Sequence, residues 1–480
     1  MPVLTRSSGS LRRAGVLVLS ALTSTACLHS VDRAPTDGLT LPAAWNTAAS
    51  EAPTRSGDPR WWTRFQQPGL NALVTDALTQ NRQLRAALAR IEQTEAVLRQ
   101  QTALLFPTLE LSGGASRGNN VIFLGDQRIQ TINNQYSLSS SAAYELDLWG
   151  RVRHGRQAAR LDAQAAALDA TAAAHSIAAQ VTETWLSLIE TEARLKLTRS
   201  QADLNARYLE LTRLRFEYGA GSIVGIRQQE QQAAGVRSQA PLLKAQAGVL
   251  RNQLAALTGH PPGKLHIQTP PNLPQLPPVP ATGLPADLLL HRPDVMAAWR
   301  RVRAADHRVG VAVAERLPAL RLTADAGYQS QSSDRLFDEM IWNVTAGLVG
   351  PVFDAGRRAA GVRRADAVLR EALAQFEQAL LDAMVEVENA LLQEQEQRRH
   401  VEALSQRVAA SQSLLDATRE RYANGLSDYL PVLTALTTLQ ADEQSFLTAK
   451  RQLLSFRVQL HRALGGDWSI VATTPTGEPA

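Results

Sequence analysis

A single cysteine, Cys27, stands among 480 residues, so no internal disulfide and no cysteine-rich metal site can form. Aromatic side chains make up only 5% of the chain. The abundance of Ala, Leu, Gln and Arg instead favours long helices whose backbones pack closely. Lysine is confined to Lys196, Lys244, Lys264 and Lys450, and the arginines that supply the positive charge alternate with acids, leaving no stripe suited to nucleic acid. No HExxH, CxxC or Walker-type glycine loop occurs, which removes the common metal, redox and nucleotide chemistries. Beyond the N-terminus no run of eighteen apolar residues exists, so no transmembrane helix is available. A membrane crossed by strands stays open.

Arg6, Arg12 and Arg13 precede an apolar stretch at residues 14–22, and Ser24, Thr25 and Ala26 lead into Cys27. That order is a secretory signal with its cleavage site, predicted to occupy residues 1–26. Its removal leaves 454 residues with 47 basic and 45 acidic side chains, so the high pI of the precursor says little about partners. Cys27 is either a free core thiol or, from its place after the signal, the lipid-attachment residue of a bacterial lipoprotein. A covalent lipid on Cys27 is expected, with no other cofactor and no metal. Ser24 stands where lipoboxes usually carry Leu. Leu28 follows the cysteine in place of the Asp that commonly retains such proteins at the inner membrane, so delivery to the outer membrane is favoured.

The chain repeats itself. Leu317-Pro318-Ala319-Leu320-Arg321-Leu322 echoes Phe106-Pro107-Thr108-Leu109-Glu110-Leu111, and Arg421-Tyr422-Ala423-Asn424-Gly425 echoes Arg215-Phe216-Glu217-Tyr218-Gly219. The predicted organisation is an extended N-terminal segment at 27–72, a first repeat at 73–259, a proline-rich linker at 260–285, a second repeat at 286–466 and a tail at 467–480. Residues 156–218 contain neither proline nor glycine and 357–424 only Gly361, so each can be one helix of ~100 Å. Leu369, Leu373, Phe376, Leu380, Met384, Val387 and Leu391 form a coiled-coil seam on the second. Shorter helices are predicted over 73–105, 225–257, 286–316 and 431–464.

Four alternating segments argue against a fibre. Tyr136, Leu138, Tyr144, Leu146 and Leu148 alternate with Ser137, Ser139, Glu145 and Asp147; Trp342, Val344, Ala346 and Leu348 alternate with Asn343 and Thr345. Leu109 and Leu111 oppose Glu110 and Ser112, and Leu320, Leu322 and Ala324 oppose Arg321, Thr323 and Asp325. Strands of ~9 to 13 residues suit a tilted bilayer crossing, although a soluble sheet alternates in the same way. Residues 118–135, with Asn119, Asn120, Asn133 and Asn134, are predicted to be an exterior loop, matched by 330–339. Four strands cannot close a barrel, and lipid forbids an open sheet edge. Two chains would supply eight strands around a filled interior, whereas three would supply twelve and leave a lumen, so a homotrimer is expected.

These residues resemble the outer-membrane efflux protein family, the TolC-like and OprM-like exit ducts of tripartite efflux pumps. Trp61-Trp62 with Phe65, and Asn81-Arg82-Gln83-Leu84-Arg85, look like its opening helix; Leu288-Leu289-Leu290-His291-Arg292-Pro293-Asp294-Val295 resembles its most recognisable signature. The resemblance implies an α+β membrane protein: a trimeric twelve-stranded β-barrel, four strands per chain, continued by a long α-helical barrel in the periplasm and built from two internal repeats. It also implies outer-membrane lipid around the strands, an inner-membrane pump and a periplasmic adaptor as partners, and no catalytic residue. His154, His175 and His461 accordingly belong to solvated or packed helix faces, and Arg292-Pro293-Asp294 to structure. The alternative is a lipid-anchored coiled-coil scaffold or adaptor without a pore.

By the same resemblance the helix turns at Gly219, Gly221, Asn424 and Gly425 face the periplasm and meet the adaptor, and the aperture lies at Tyr422, Leu426, Asp428 and Leu430. The family's aspartates are absent here, with Pro431, Thr434 and Gly225 at their positions. Asp428 either forms a three-membered carboxylate ring or caps the helix that follows. Tyr422 matches a latch tyrosine, while Phe216 lacks the hydroxyl, which implies a weaker or differently built latch.

Overall fold

The computed structural model describes residues 42–47, 60–280, 285 and 292–465. Cys27, the signal, most of the signature before Arg292 and the C-terminal tail lie outside the described residues. The order of elements is α1 (Pro68–Gln80), α2 (Arg82–Ala103), β1 (Thr108–Leu124), β2 (Gln127–Leu146), α3 (Arg151–Glu217), α4 (Ile223–Leu257), α5 (Pro293–Ala314), β3 (Ala319–Ser330), β4 (Met340–Val349), α6 (Arg357–Ala423) and α7 (Tyr429–Ala463). Among the described residues the second half's three helices repeat the lengths of α2, α3 and α4, with 22 residues in both α2 and α5. α3 and α6 both have 67 residues, and α4 and α7 both have 35.

The single helix expected over 73–105 is instead two. Asn81 divides them because it sits in extended backbone and its amide caps α2: Oδ1 accepts from the backbone N–H of Gln83 at 2.8 Å and Leu84 at 3.1 Å, while Nδ2 donates to the carbonyl of Leu257 at the end of α4 at 2.8 Å. α7 likewise begins two residues before the predicted start at 431.

One compact unit comprises Ile91–Ala165 and Ala298–Phe376 among the described residues and holds the sheet. Its strands run antiparallel in the order β1-β2-β3-β4. The register sets Leu109 opposite Ala142, Tyr144 opposite Leu322, Ala324 opposite Val344 and Ala326 opposite Trp342, so the apolar residues of these pairs share one face. The other face carries Glu110 opposite Ser141, Glu145 opposite Arg321 and Asp325 opposite Asn343. Among the described residues nothing covers the apolar face, with Leu111 at 77% and Trp342 at 69% exposure. In water such a patch would be costly; facing lipid it is what the strand needs.

The expected loop at 118–135 is overturned. β1 and β2 have 17 and 20 residues and pair without a break from Thr108 opposite Ala143 to Leu124 opposite Gln127. The reversal takes only Gly125 and Asp126, with Gly125 at φ +61° as the first central residue of a tight hairpin turn. Asparagine-rich strand persists there because the ladder propagates from both ends and needs no buried side chain. The hairpin therefore exceeds the ~9 to 11 residues of a bilayer crossing. β3 and β4, with 12 and 10 residues, keep near that length. A short turn at Ser333–Arg335 lies between them.

The second unit draws its described residues from Leu39–Arg90, Ala166–Ala297 and Glu377–Ala480. Its core packs Ala174, Ala178, Trp185 and Leu186 of α3 with Leu254 of α4 and Leu454 and Val458 of α7. Alanines admit the close helix approach foreseen from composition. Trp61, Trp62 and Phe65, in a 3-10 turn, seal this core. His461 stacks on Trp61 with ring centroids 5.3 Å apart. Burial, with Arg64 and Arg457 adding to it, lowers the His461 pKa to about 3, so the ring is neutral; burial does the same to His175.

Two buried arginines fasten the helices. Arg292 grips Asp294 through Nε at 3.0 Å and Nη2 at 2.7 Å, reaches Glu386 at 2.8 Å and donates to the Ala463 carbonyl at 3.1 Å. Burial opposes ionisation of Asp294, but Arg292 holds its pKa below the usual carboxylate value. The signature arginine is thus a clamp that joins the start of α5 to the middle of α6 and the end of α7. Arg457, fully buried, pairs with Glu394 and with the Pro277 carbonyl.

Candidate functional site

The sequence singles out the turns joining α3 to α4 and α6 to α7, and both are built in the same way. The N–H of Gly219 bonds the Phe216 carbonyl at 3.0 Å and that of Ala220 the Arg215 carbonyl at 2.8 Å. In the second turn Gly425 bonds Tyr422 at 3.1 Å and Leu426 bonds Arg421 at 2.8 Å. Each is a Schellman stop, with glycine at φ +74° or +71° where other residues strain. Gly221 serves a different end: a Cβ there would sit 3.0 Å from the Phe216 nitrogen.

Ser222 caps α4 by accepting from the Gly225 N–H at 3.1 Å. Asp428 occupies the matching position before α7 in extended backbone, yet its side chain makes no capping hydrogen bond. The capping alternative therefore falls, and the carboxylate is exposed. Asn424 and Gly425 are exposed too, as are Leu426 at 67% and Leu430 at 54%. Tyr218, Ile223 and Val224 make the first turn similarly apolar, at 81%, 50% and 60% exposure.

Tyr422 is buried, unlike the other candidate aperture residues. The Arg215 guanidinium lies 4.1 Å from its ring centroid and donates to its carbonyl at 3.1 Å, tying the end of α3 to the end of α6. Sequence reasoning missed its neighbour. Tyr429, whose ring lies 5.4 Å from that of Tyr422, donates its hydroxyl to Gln229 Oε1 at 2.7 Å. Gln229 Nε2 donates to the Asn205 carbonyl at 2.8 Å and side-chain oxygen at 3.1 Å, and Asn205 Nδ2 donates to the Gln201 carbonyl at 2.8 Å. This buried chain connects α7, α4 and α3. Burial raises the Tyr429 pKa and keeps the phenol a donor. The available signal was spacing: Gln229 lies one turn after Gly225, on the same helix face.

The sites contain no nucleophile–base pair, and among the described residues no group of three or more acids, histidines or cysteines can hold a metal ion. His154 and His307 meet at 3.0 Å between their Nδ1 atoms, as a pair. What the arrangement offers is geometric: one sheet with a single apolar face and long helices ending in turns of defined chemistry.

Comparison with known proteins assigns that geometry. The family described as outer membrane efflux protein matches residues 73–260 and 284–466. The chain is 31% identical over 450 residues to the pyoverdine export outer membrane protein OpmQ of Pseudomonas putida, covering 92% of this chain and 95% of that one. It is 32% identical over 425 residues to the toluene efflux pump outer membrane protein TtgF of the same species, covering 88% of each. The solved outer-membrane channel OprN superimposes with a TM-score of 0.86 at 28% identity, over 92% of this chain and 99% of that one. A poreless scaffold has no place in this company, and neither has an enzyme: the one apolar sheet face and the paired helical hairpins are those of a transport conduit, and the chain belongs to the outer membrane efflux protein family.

Proposed function

We propose that three copies of this chain close a twelve-stranded barrel in the outer membrane and continue as a helical duct in the periplasm. Small molecules leave passively through it after delivery by an inner-membrane pump and a periplasmic adaptor. The observation that carries the trimer is the sheet itself: β1 and β4 each have one neighbour, and lipid tolerates no unpaired edge. Three sheets leave a lumen lined by the Glu145, Arg321 and Asp325 face. The exposed apolar turns around Ile223, Val224, Leu426 and Leu430 support adaptor docking.

The periplasmic end is narrowed by three Asp428 carboxylates and held shut by the Tyr429–Gln229 bond. Planar-bilayer recordings test this. The trimer should conduct with cation selectivity, and Asp428→Asn should reduce that selectivity without loss of assembly. Tyr429→Phe, which leaves a buried Gln229 oxygen unpaired at a cost of about 1 to 3 kcal/mol, should raise open probability several-fold. Unchanged selectivity in the first variant removes the carboxylate ring; unchanged gating in the second removes the bond as a restraint.

Cys27 carries the lipid that anchors the N-terminus, the reading supported by its place after the signal segment. Cys27→Ser should abolish metabolic lipid labelling while partial outer-membrane localisation survives through the barrel. Persistent labelling would refute the assignment.

A further inference from the structure

We infer that the opening two turns of α3 and α6 form a binding surface for the phosphate groups of anionic phospholipid in the periplasmic leaflet of the outer membrane. This deepens the channel reading and rests on the sheet crossing that membrane. Residues 151–161 contain Arg151, Arg153, Arg156 and Arg160 and no acid; residues 357–365 contain Arg357, Arg358, Arg363 and Arg364 and no acid. Two segments of such composition begin the two long helices, and Arg151, Arg153, Arg357 and Arg358 stand in the first turn, where the helix dipole disfavours cations.

The chain answers only part of this charge. Arg151 pairs with Glu145 at 2.9 Å, Arg153 with Asp147 at 3.2 Å and Arg358 with Asp354 at 3.7 Å. Arg156, Arg160, Arg357, Arg363 and Arg364 are exposed and belong to none of the ion pairs seen among the described residues. The chain leaves these exposed cations unanswered, Arg357 in the first turn itself, and an external anion answers them.

What precedes these turns identifies the anion's source. Leu148 is 50% exposed, Val352 103% and Phe353 88%, each just beyond a strand of the apolar-faced sheet and just before the basic turn. Apolar surface followed by arginine is the order met on passing from hydrocarbon to headgroups, where the guanidinium snorkels to phosphate. The dimensions agree. A headgroup layer is roughly 5 to 8 Å thick. Arg156 lies ~8 Å along α3 from Arg151, and Arg357 to Arg364 spans ~10 Å, within reach of a bending side chain; Arg160, at ~14 Å, falls outside.

The full chain, reconstituted in phosphatidylcholine bilayers, should immobilise spin-labelled phosphatidylglycerol over spin-labelled phosphatidylcholine by at least about fivefold, the factor one arginine supplies near an anionic surface. Added salt should erode the preference. The combined variant Arg156→Gln, Arg357→Gln, Arg363→Gln, Arg364→Gln should bring it to about onefold, while Arg160→Gln leaves it intact. No preference in the wild type, or one indifferent to salt, overturns the inference even if the combined variant fails to assemble. So does a preference retained in the variant, displacement of the lipid by dilute inorganic phosphate, or a variant whose pore selectivity changes while its lipid preference does not, which would put these arginines in the conduit. Wild-type conductance in the same bilayers reports on the channel reading separately.

Discussion

Ala324→Arg should remove most of the folded, heat-modifiable protein from the outer membrane, whereas Thr323→Arg, one residue away, should leave it assembled. Ala324 lies mid-sheet between Ala142 and Val344 on the apolar face, and Thr323 lies between Ala143 and Thr345 on the other. An arginine facing lipid near the midplane costs about 2 to 4 kcal/mol per copy, and a trimer bears it three times. On the lumen face the same charge stays hydrated and should alter only ion selectivity. Equal loss in both variants, read from gel mobility of membrane fractions, would mean that the sheet has no lipid-facing side.

Arg457→Met should be the most damaging single change in the helical unit. Arg457 is 0% exposed and Glu394 5%, so the variant strands a buried carboxylate. Such a loss costs about 3 to 5 kcal/mol, a large share of a total stability of about 5 to 15 kcal/mol. Arg398, 3.1 Å from Glu394, offers partial compensation and points to the lower end of that range. The double variant Arg457→Met, Glu394→Leu should recover most of the loss, since apolar residues fill the space without a desolvated charge. Thermal unfolding in detergent decides it: a double variant as unstable as the single one would show that packing around Arg457, not the ion pair, carries the effect.

The sequence disclosed what is periodic and hid what is conditional. Proline-free runs with at most one glycine foretold two rods, and alternation foretold the apolar face, because both depend on repeating geometry that side chains must obey over many residues. The hairpin beyond Gly118 was hidden because Asn119, Asn120, Asn133 and Asn134 favour turns locally, and only pairing across the ladder makes them strand. Asn81 looked like one more helical residue until its partners on both sides were visible. At the turns, glycines announced where the helices stop, but the link between Tyr429 and Gln229 joins residues 200 apart and carries no local signature.

The equal helix lengths of the two repeats have a consequence for how such a chain can change over time. With α3 and α6 at 67 residues and α4 and α7 at 35, Tyr429 meets Gln229 only because both hairpins reach the same depth. Deleting one helical turn from a single repeat would withdraw its tip by about 5.4 Å and part that contact. Insertions and deletions in the rods are therefore tolerated only as matched events in both halves of the gene, while single substitutions at the tips remain free to diverge. Length is inherited jointly, and chemistry separately.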